Sequence, residues 1–487
     1  MTYPLIIQGG MGAGVSHWYL ANQVSRLGQL GVVSGTALDE ILARRLQDGD
    51  SGGHMRRALD HFPFPAMAER IWDRFYLPNG RNGAPYQRQK MHTVDGPRDV
   101  QELLIVSNFV EVWLAREGHS NPVGINYLEK IQLPHLASMF GSMLAGVDYV
   151  LMGAGIPIRV PGVLDHLSRL EEAQYSIHVI GSREQETIMR FNPRDYIEGE
   201  FTQSLPRPKF LAIISSNTLA QTLLKKANGK VDGFIIEGPT AGGHNAPPRG
   251  KLQLTESGEP IYGERDVVDL PKMRELGAPF WLAGGVGSAH AVKQALADGA
   301  VGVQVGTAFA FCSDSGLRED YRTALINKSI AGTARVFTDP LASPTGFPFK
   351  VAVLEGTFSE KEVYEARPRI CDLGYLREAY EKEDKTTGYR CPSEPVNVFV
   401  SKGGAIEETV GRKCVCNGLM ANIGMQQTRP GNREEVGIIT TGDDLTEVAK
   451  FLGPGQTSYS AADVIEQLLS EVRAASVESS FAAAASS

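Results

Sequence analysis

His244 closes the run Glu237-Gly238-Pro239-Thr240-Ala241-Gly242-Gly243-His244-Asn245. An imidazole can take or give a proton near neutral pH, since its unperturbed pKa is about 6.5. Two glycines directly before it would let the chain turn inward and lay the ring over a bound molecule. Spacing alone also allows a loop histidine with a structural role. Three further glycine clusters could bring backbone close to a flat or phosphorylated ligand: Gln8-Gly9-Gly10-Met11-Gly12-Ala13-Gly14, Ala283-Gly284-Gly285-Val286-Gly287-Ser288 and Gln304-Val305-Gly306-Thr307. The first is not a dinucleotide fingerprint, because G-x-G-x-x-G started at Gly10 or Gly12 ends on Val15 or His17. No G-x-S-x-G, H-E-x-x-H or G-x-x-x-x-G-K-[ST] motif occurs, which removes the usual signatures of serine hydrolases, zincins and P-loop proteins. His17 and His290 stand out only because they follow glycine clusters. Cys371, Cys391, Cys414 and Cys416 could offer sulfur to zinc or to an iron–sulfur cluster, but their spacing fits neither a zinc ribbon nor a ferredoxin run. They are expected as reduced, partly buried thiols, and no metal-ligand set is assigned.

These clusters need elements to hold them. Eight short apolar runs read as buried parallel strands: Leu5 to Gln8, Gly31 to Ser34, Pro122 to Asn126, Val147 to Met152, Phe210 to Ser215, Val231 to Glu237, Pro279 to Ala283 and Val301 to Val305. Most are followed by text of helical period, such as Pro134 to Ala145, Asn217 to Lys226 and Ser288 to Asp298. Eight units in series predict an α/β fold, a (β/α)8 barrel, over residues 1–312. Insertions of about 38–120 and 161–208 are expected to add helices at its rim. A C-terminal accessory or lid region is expected over 313–475, and a flexible tail over 476–487. In such a barrel the carboxyl ends of the strands face the site, so His244 and all four clusters fall where a ligand sits. The loops after strands seven and eight form the usual phosphate cradle, and Ser288 is placed to cap the helix between them.

Composition narrows the class. The 487 residues carry 48 Lys+Arg against 56 Asp+Glu, a net charge of -8, which gives no electrostatic case for nucleic acid or an anionic membrane. Five cysteines in so long a chain are no disulfide scaffold. No clean apolar run of about 18 residues or more occurs, and the first residues lack the form of a secretory signal, so a cytoplasmic protein is expected. Glycine is in excess, 53 of 487 residues, where roughly 7% is ordinary.

Taken in order, the motifs resemble the nitronate monooxygenases, formerly 2-nitropropane dioxygenases. The resemblance rests on Ile6-Ile7-Gln8-Gly9-Gly10-Met11 with Gly14-Val15-Ser16, Gly124-Ile125-Asn126, Ala241-Gly242-Gly243-His244, Ala283-Gly284-Gly285 and Gln304-Val305-Gly306-Thr307. It covers roughly residues 4–312. It implies a TIM barrel that binds FMN: Gly284, Gly285, Gln304, Gly306 and Thr307 around the phosphate, Gly10, Met11 and Asn126 near the ring or ribityl chain, Glu237, Gly242 and Gly243 in the same cofactor set, and His244 as the catalytic base. Two positions depart from the family's pattern, Glu237 where Gln is common and Thr240 where Glu is common. The implied activity is oxidation of an alkyl nitronate or similar carbanion with O2. The same Gly-Gly-His barrel occurs in NAD(P)H-dependent flavin enoyl-thioester reductases, which is the alternative reading, and a non-catalytic flavin-binding partner protein is a second. A small-molecule substrate and a possible homo-oligomer complete the expectation.

Overall fold

The computed structural model describes residues 3–182, 187–431 and 433–485, with residues 475–485 as helix backbone alone. Eight strands form one parallel sheet: β1 Ile6–Gln8, β2 Gly31–Ser34, β3 Val123–Leu128, β4 Tyr149–Gly153, β5 Lys209–Ile214, β6 Gly233–Glu237, β7 Phe280–Ala283 and β8 Gly302–Val305. Each lies within two residues of its expected bounds. The sheet closes on itself: β1 pairs with β8 in the register Ile6↔Val303, and its other edge bonds Leu30, which donates to the Ile6 carbonyl at 3.0 Å and accepts from Gln8 N–H at 2.9 Å. Successive side chains along a strand point to opposite faces. Ile7, Val32, Tyr149, Leu151, Leu211, Ile235 and Trp281 accordingly fill the barrel interior, while Ile6, Val33, Val150, Phe210, Phe234, Phe280 and Val303 meet the surrounding helices. Burial on both faces is why these strands read as unbroken apolar runs rather than alternating ones.

The helices forming the outer ring come partly from unexpected places. Within the first insertion, the long helix Arg98–Arg116 packs between Trp18–Arg26 and His135–Leu144, so it is the barrel's own second helix. The added material is shorter than expected and consists of the helices Leu38–Gln47, His54–Leu59 and Pro65–Phe75 with the loop that comes after them. The second insertion departs from its helical expectation. Its first element, Val160–Ser168, belongs to the barrel, and the chain then forms an antiparallel hairpin of Ala173–Ile177 with Thr187–Phe191. Alternating burial along the first of these strands, with Gln174 exposed between buried Ala173 and Tyr175, is the two-residue period of a half-buried strand.

The last unit is split. After β8 and the single turn Thr307–Ala310 the chain leaves the barrel, and it returns as the helix Ala461–Ala485, which packs between Ala289–Ala297 and Trp18–Arg26 in the place of the eighth barrel helix. The barrel therefore does not end near residue 312; residues 311–460 are an excursion inside its final strand–helix unit. Ser460 and Asp463 begin the returning helix with a reciprocal cap, Ser460 N–H donating to the Asp463 carboxylate at 2.7 Å and Asp463 N–H donating to Ser460 Oγ at 3.3 Å. Val464, Ile465, Leu468 and Leu469 form its buried stripe. Residues 476–485, expected as a tail, continue this helix, and 486–487 lie outside the described residues. Among the described residues no helix is long and apolar enough to cross a membrane.

Within the excursion, β9 Val336–Asp339 and β10 Phe349–Ala352 pair antiparallel, and β10 also pairs with the two-residue strand Gly243–His244 in the register His244↔Phe349. A second hairpin, Glu378–Glu381 with Thr387–Arg390, pairs with Val179–Ile180 of the second insertion. If the returning helix closes the barrel, Leu468→Ala should cost about 2–5 kcal/mol in a single cooperative transition, and Ser470→Ala under about 0.5 kcal/mol. A separate early transition in calorimetry for Leu468→Ala would show the helix to be an appendage.

Candidate active site

Gln8, at the end of β1, is fully buried and shapes the first glycine loop. Its amide oxygen accepts from Val32 N–H at 3.0 Å and its amide nitrogen donates to Ser16 Oγ at 2.9 Å. Ser16 Oγ in turn accepts from Met11 N–H at 2.9 Å and donates to the Gly9 carbonyl at 2.8 Å. These bonds pin Gly9 to Met11 at the barrel mouth. After β7, Gly284 takes φ +85° and Gly285 φ +70°, and a Cβ on Gly284 would stand 2.9 Å from Ala241 N, so only glycine fits the turn without strain. Ser288 caps the next helix as expected, accepting from Ala291 N–H at 3.2 Å.

Gly10, Met11, Asn126, Glu237, Gly242, Gly243, His244, Gly284, Gly285, Gln304, Gly306 and Thr307 all line one cavity at the carboxyl ends of the strands. His17 and His290 do not line it; His17 packs by Trp18 and Tyr19, and His290 is exposed in the helix after Ser288. Two buried side-chain oxygens in the lining residues, Asn126 Oδ1 and Gln304 Oε1, have no hydrogen-bond partner. Such groups are costly unless something satisfies them, so a bound donor is indicated. The lining includes no lysine or arginine among the described residues, which leaves an anionic group to the backbone N–H groups of the two late loops.

The inner wall holds two ionisable groups. Burial pushes the Glu237 carboxyl up to about 8, so at neutral pH it is mostly protonated. Burial pushes the His244 imidazole down to about 4, so the ring is neutral and can accept a proton. His244 Nε2 is held by Ser343 Oγ at 2.7 Å, Ser343 Oγ meets Thr345 Oγ1 at 2.8 Å, and Phe349 packs on the ring with centroids 4.8 Å apart. His244 and Glu237 also line a second cavity, with Ile156, Ile213, Leu219, Tyr262 and Phe347 as largely apolar walls and Arg249 as its cation. The two side chains thus stand on the partition between two hollows.

The excursion supplies much of the lining that sequence reasoning missed. Gly243 N–H donates to Thr440 Oγ1 at 2.8 Å, Asp443 N–H to the Thr240 carbonyl at 3.0 Å, and Gly442 N–H to Thr307 Oγ1 at 2.9 Å. Thr307 therefore keeps only its own O–H proton for a ligand. Asp444, raised by burial, accepts from Gly287 N–H, so one amide of the expected cradle is already used. Tyr375, Leu376, Val415, Cys416 and Leu419 complete the roof. The signal that could have found part of this is Ile438-Ile439-Thr440-Thr441-Gly442, another apolar run ending in threonine and glycine.

A closed parallel barrel with a glycine-walled cavity at its carboxyl end, and with a proton acceptor on the partition, defines the class of (β/α)8 barrels that hold a cofactor-sized ligand at the strand ends. Within that class, the nitronate monooxygenase family model matches residues 199–341 of this chain. It is similar to the nitronate monooxygenase of Pseudomonas aeruginosa, 28% identical over 257 residues, which are 52% of this chain and 64% of that protein. A probable nitronate monooxygenase of Staphylococcus aureus is 24% identical over 243 residues, 48% of this chain and 62% of that one. The matches span less than two thirds of either relative. Among solved structures, FabK from Thermotoga maritima superposes with a TM-score of 0.49 at 17% identity, covering 98% of this chain and 95% of that one.

Because ionising Glu237 in the folded protein is disfavoured, the wild type should lose stability relative to Glu237→Gln as pH rises from about 4.5 to about 8. The Tm of Glu237→Gln should match the wild type near pH 4 and exceed it at pH 8.5. An equal offset at both pH values would remove the buried-acid assignment.

Proposed function

We propose that the barrel is a flavin oxidoreductase that binds FMN in the glycine-walled cavity and oxidises an alkyl nitronate or a similar stabilised carbanion, with O2 as the terminal acceptor. The observation that carries this reading is the position of neutral His244 on the partition between the cofactor cavity and the largely apolar second cavity. The match of residues 199–341 to the nitronate monooxygenase family model supports the reaction class. The lining also fits the cofactor: Gly284, Gly285 and Gly306 keep side chains away from a phosphate, Thr307 offers a hydroxyl, and the unpartnered oxygens of Asn126 and Gln304 suit N–H or O–H donors of a flavin and its ribityl chain. Bound there, a flavin supplies acceptance of an electron pair from a carbanion and reoxidation by O2.

The chain's own residues do the rest. A neutral nitroalkane entering by the second cavity meets His244, which as general base takes its acidic C–H proton and leaves the nitronate; Ser343 holds Nε2 and fixes the ring's orientation. Protonated Glu237 offers an O–H donor and a carbonyl acceptor, the same pair that an amide offers. The departure from the family's glutamine therefore preserves the hydrogen-bonding pattern while the carboxyl stays protonated. The apolar walls around Ile156, Ile213, Leu219 and Phe347 also suit an acyl chain, which favours the enoyl-thioester reductase as the second reading.

Purified protein should be yellow and release FMN on denaturation; a colourless protein that cannot be reconstituted would exclude both readings. Under anaerobic conditions a nitronate should bleach the bound flavin while NADH and NADPH do not, and the opposite result selects the reductase. His244→Ala should keep its flavin yet lose about 10²–10⁴-fold in turnover of a neutral nitroalkane. Its loss should be much smaller with preformed nitronate, which needs no base; an equal loss with both substrates would take His244 out of that role.

A further inference from the structure

Cys371, Cys391, Cys414 and Cys416 come from three separate segments of the excursion, yet all four line one small enclosed cavity. Core packing alone gives no reason for thiols to seek one another, and the fifth cysteine, Cys312, is buried away from them just after the turn that succeeds β8. Backbone and amide N–H groups converge on these sulfurs, and Cys414 Sγ also faces the Ile370 carbonyl at 3.8 Å. Ser393 N–H points at Cys391 Sγ, and the N–H groups of Tyr375 and Leu376 point at Cys416 Sγ. Cys414 Sγ receives the backbone N–H of Asn417 and its side-chain amide, the latter at 3.4 Å. A thiol is a weak acceptor that does not require such donors, whereas a metal-bound thiolate is tuned by them.

Charge points the same way. Arg377 acts electrostatically on the sulfurs of Cys371 and Cys391 and Arg412 on that of Cys391, and both guanidinium groups direct their hydrogen bonds to backbone carbonyls: Arg377 to His92 and Gly374, Arg412 to Leu341, Ser343 and Glu408. Arg369 likewise binds the carbonyls of Pro392, beside Cys391, and of Thr409. The carboxylates of Asp339 and Glu408 face Arg412 and that of Glu394 faces Arg377 without hydrogen-bonding them, so these cations can also meet an anionic group between them. Among the described residues no three His, Cys, Asp or Glu side chains gather at the spacing of a single ion. Zinc draws four sulfurs to about 2.3 Å from one centre, whereas a cubane cluster holds its ligand sulfurs at four separate corners.

We propose that Cys371, Cys391, Cys414 and Cys416 ligate a four-iron, four-sulfide cluster. Leu376, Val415 and Cys416 line both this cavity and the cofactor cavity, so the cluster sits directly behind the wall of the proposed flavin site. This assignment stands on the cysteines and their surroundings and holds whether or not the flavin reading does.

Protein purified anaerobically, or reconstituted with ferrous iron and sulfide, should contain about four irons and about four acid-labile sulfides per chain. It should show a broad visible absorption that dithionite bleaches, with an EPR signal appearing on reduction. Flavin is quantified separately after extraction, so absence of flavin and absence of the cluster are distinct results. Cys391→Ser and Cys414→Ser should lose most of the iron and sulfide, whereas Cys312→Ser should keep both; circular dichroism identifies any variant that has merely unfolded. Stoichiometric zinc without sulfide, or a wild-type protein that takes up neither iron nor sulfide on reconstitution, would overturn the proposal.

Discussion

The chain leaves the barrel after its eighth strand and must come back to supply the eighth helix. That constraint organises the molecule. A closed parallel barrel cannot leave the outer face of β8 and β1 uncovered, because both strands are apolar on that side, and the helix that covers them begins only at Ala461. Everything between Phe311 and Ser460 is therefore a loop closed at both ends by the barrel itself. Its exit and its return lie at the strands' carboxyl ends, so the excursion is held over the cavity mouth. The bonds from Thr440, Gly442 and Asp443 to the His244 loop and to Thr307 then set the roof against the floor.

Burial under that roof explains why two neighbouring groups shift in opposite directions. A low-dielectric wall disfavours charge of either sign, so it raises the acid Glu237 and lowers the base His244. Both become neutral at the same pH, one carrying its proton and one lacking it. Among the described residues no lysine or arginine lines the glycine-walled cavity, so the partition can offer it a proton acceptor and a proton donor that are both uncharged. The second cavity carries both Arg249 and Asp266 in its lining, so charge lies on that side of the partition.

The barrel was legible because strands buried on both faces leave apolar runs that nothing else imitates over eight repeats. Part of the cavity lining was legible for a related reason: glycine is required where backbone turns at positive φ, as at Gly284 and Gly285, and that turn falls at a strand end. What escaped was long-range. Arg98–Arg116 read as inserted material because nothing local tells a barrel helix from an added one; its partners, Trp18–Arg26 and His135–Leu144, decide it. The hairpin at Ala173–Ile177 was hidden by its short alternation. The boundary at 312 was misplaced because the returning helix is separated from its strand by a whole excursion, although Ser460-Ala461-Ala462-Asp463 carries a capping pattern before an apolar stripe. The cysteines were spaced too unevenly to match any linear ligand pattern, since their convergence depends on three segments folding over one another.

The excursion therefore has two connected tasks. One side of it contributes Ser343, Phe349 and Thr440 to the setting of His244, and the other gathers the four thiols, with Val415 and Cys416 facing both. Cys414 and Cys416 stand on either side of Val415, at the start of the helix Val415–Asn422, so any group that fixes those two sulfurs also fixes the apolar side chain between them. A cluster at the four thiols would thus help define the shape of the cofactor cavity as well as occupy its own. On that argument the excursion is part of the cavity wall, and the barrel and its longest loop form one structural unit.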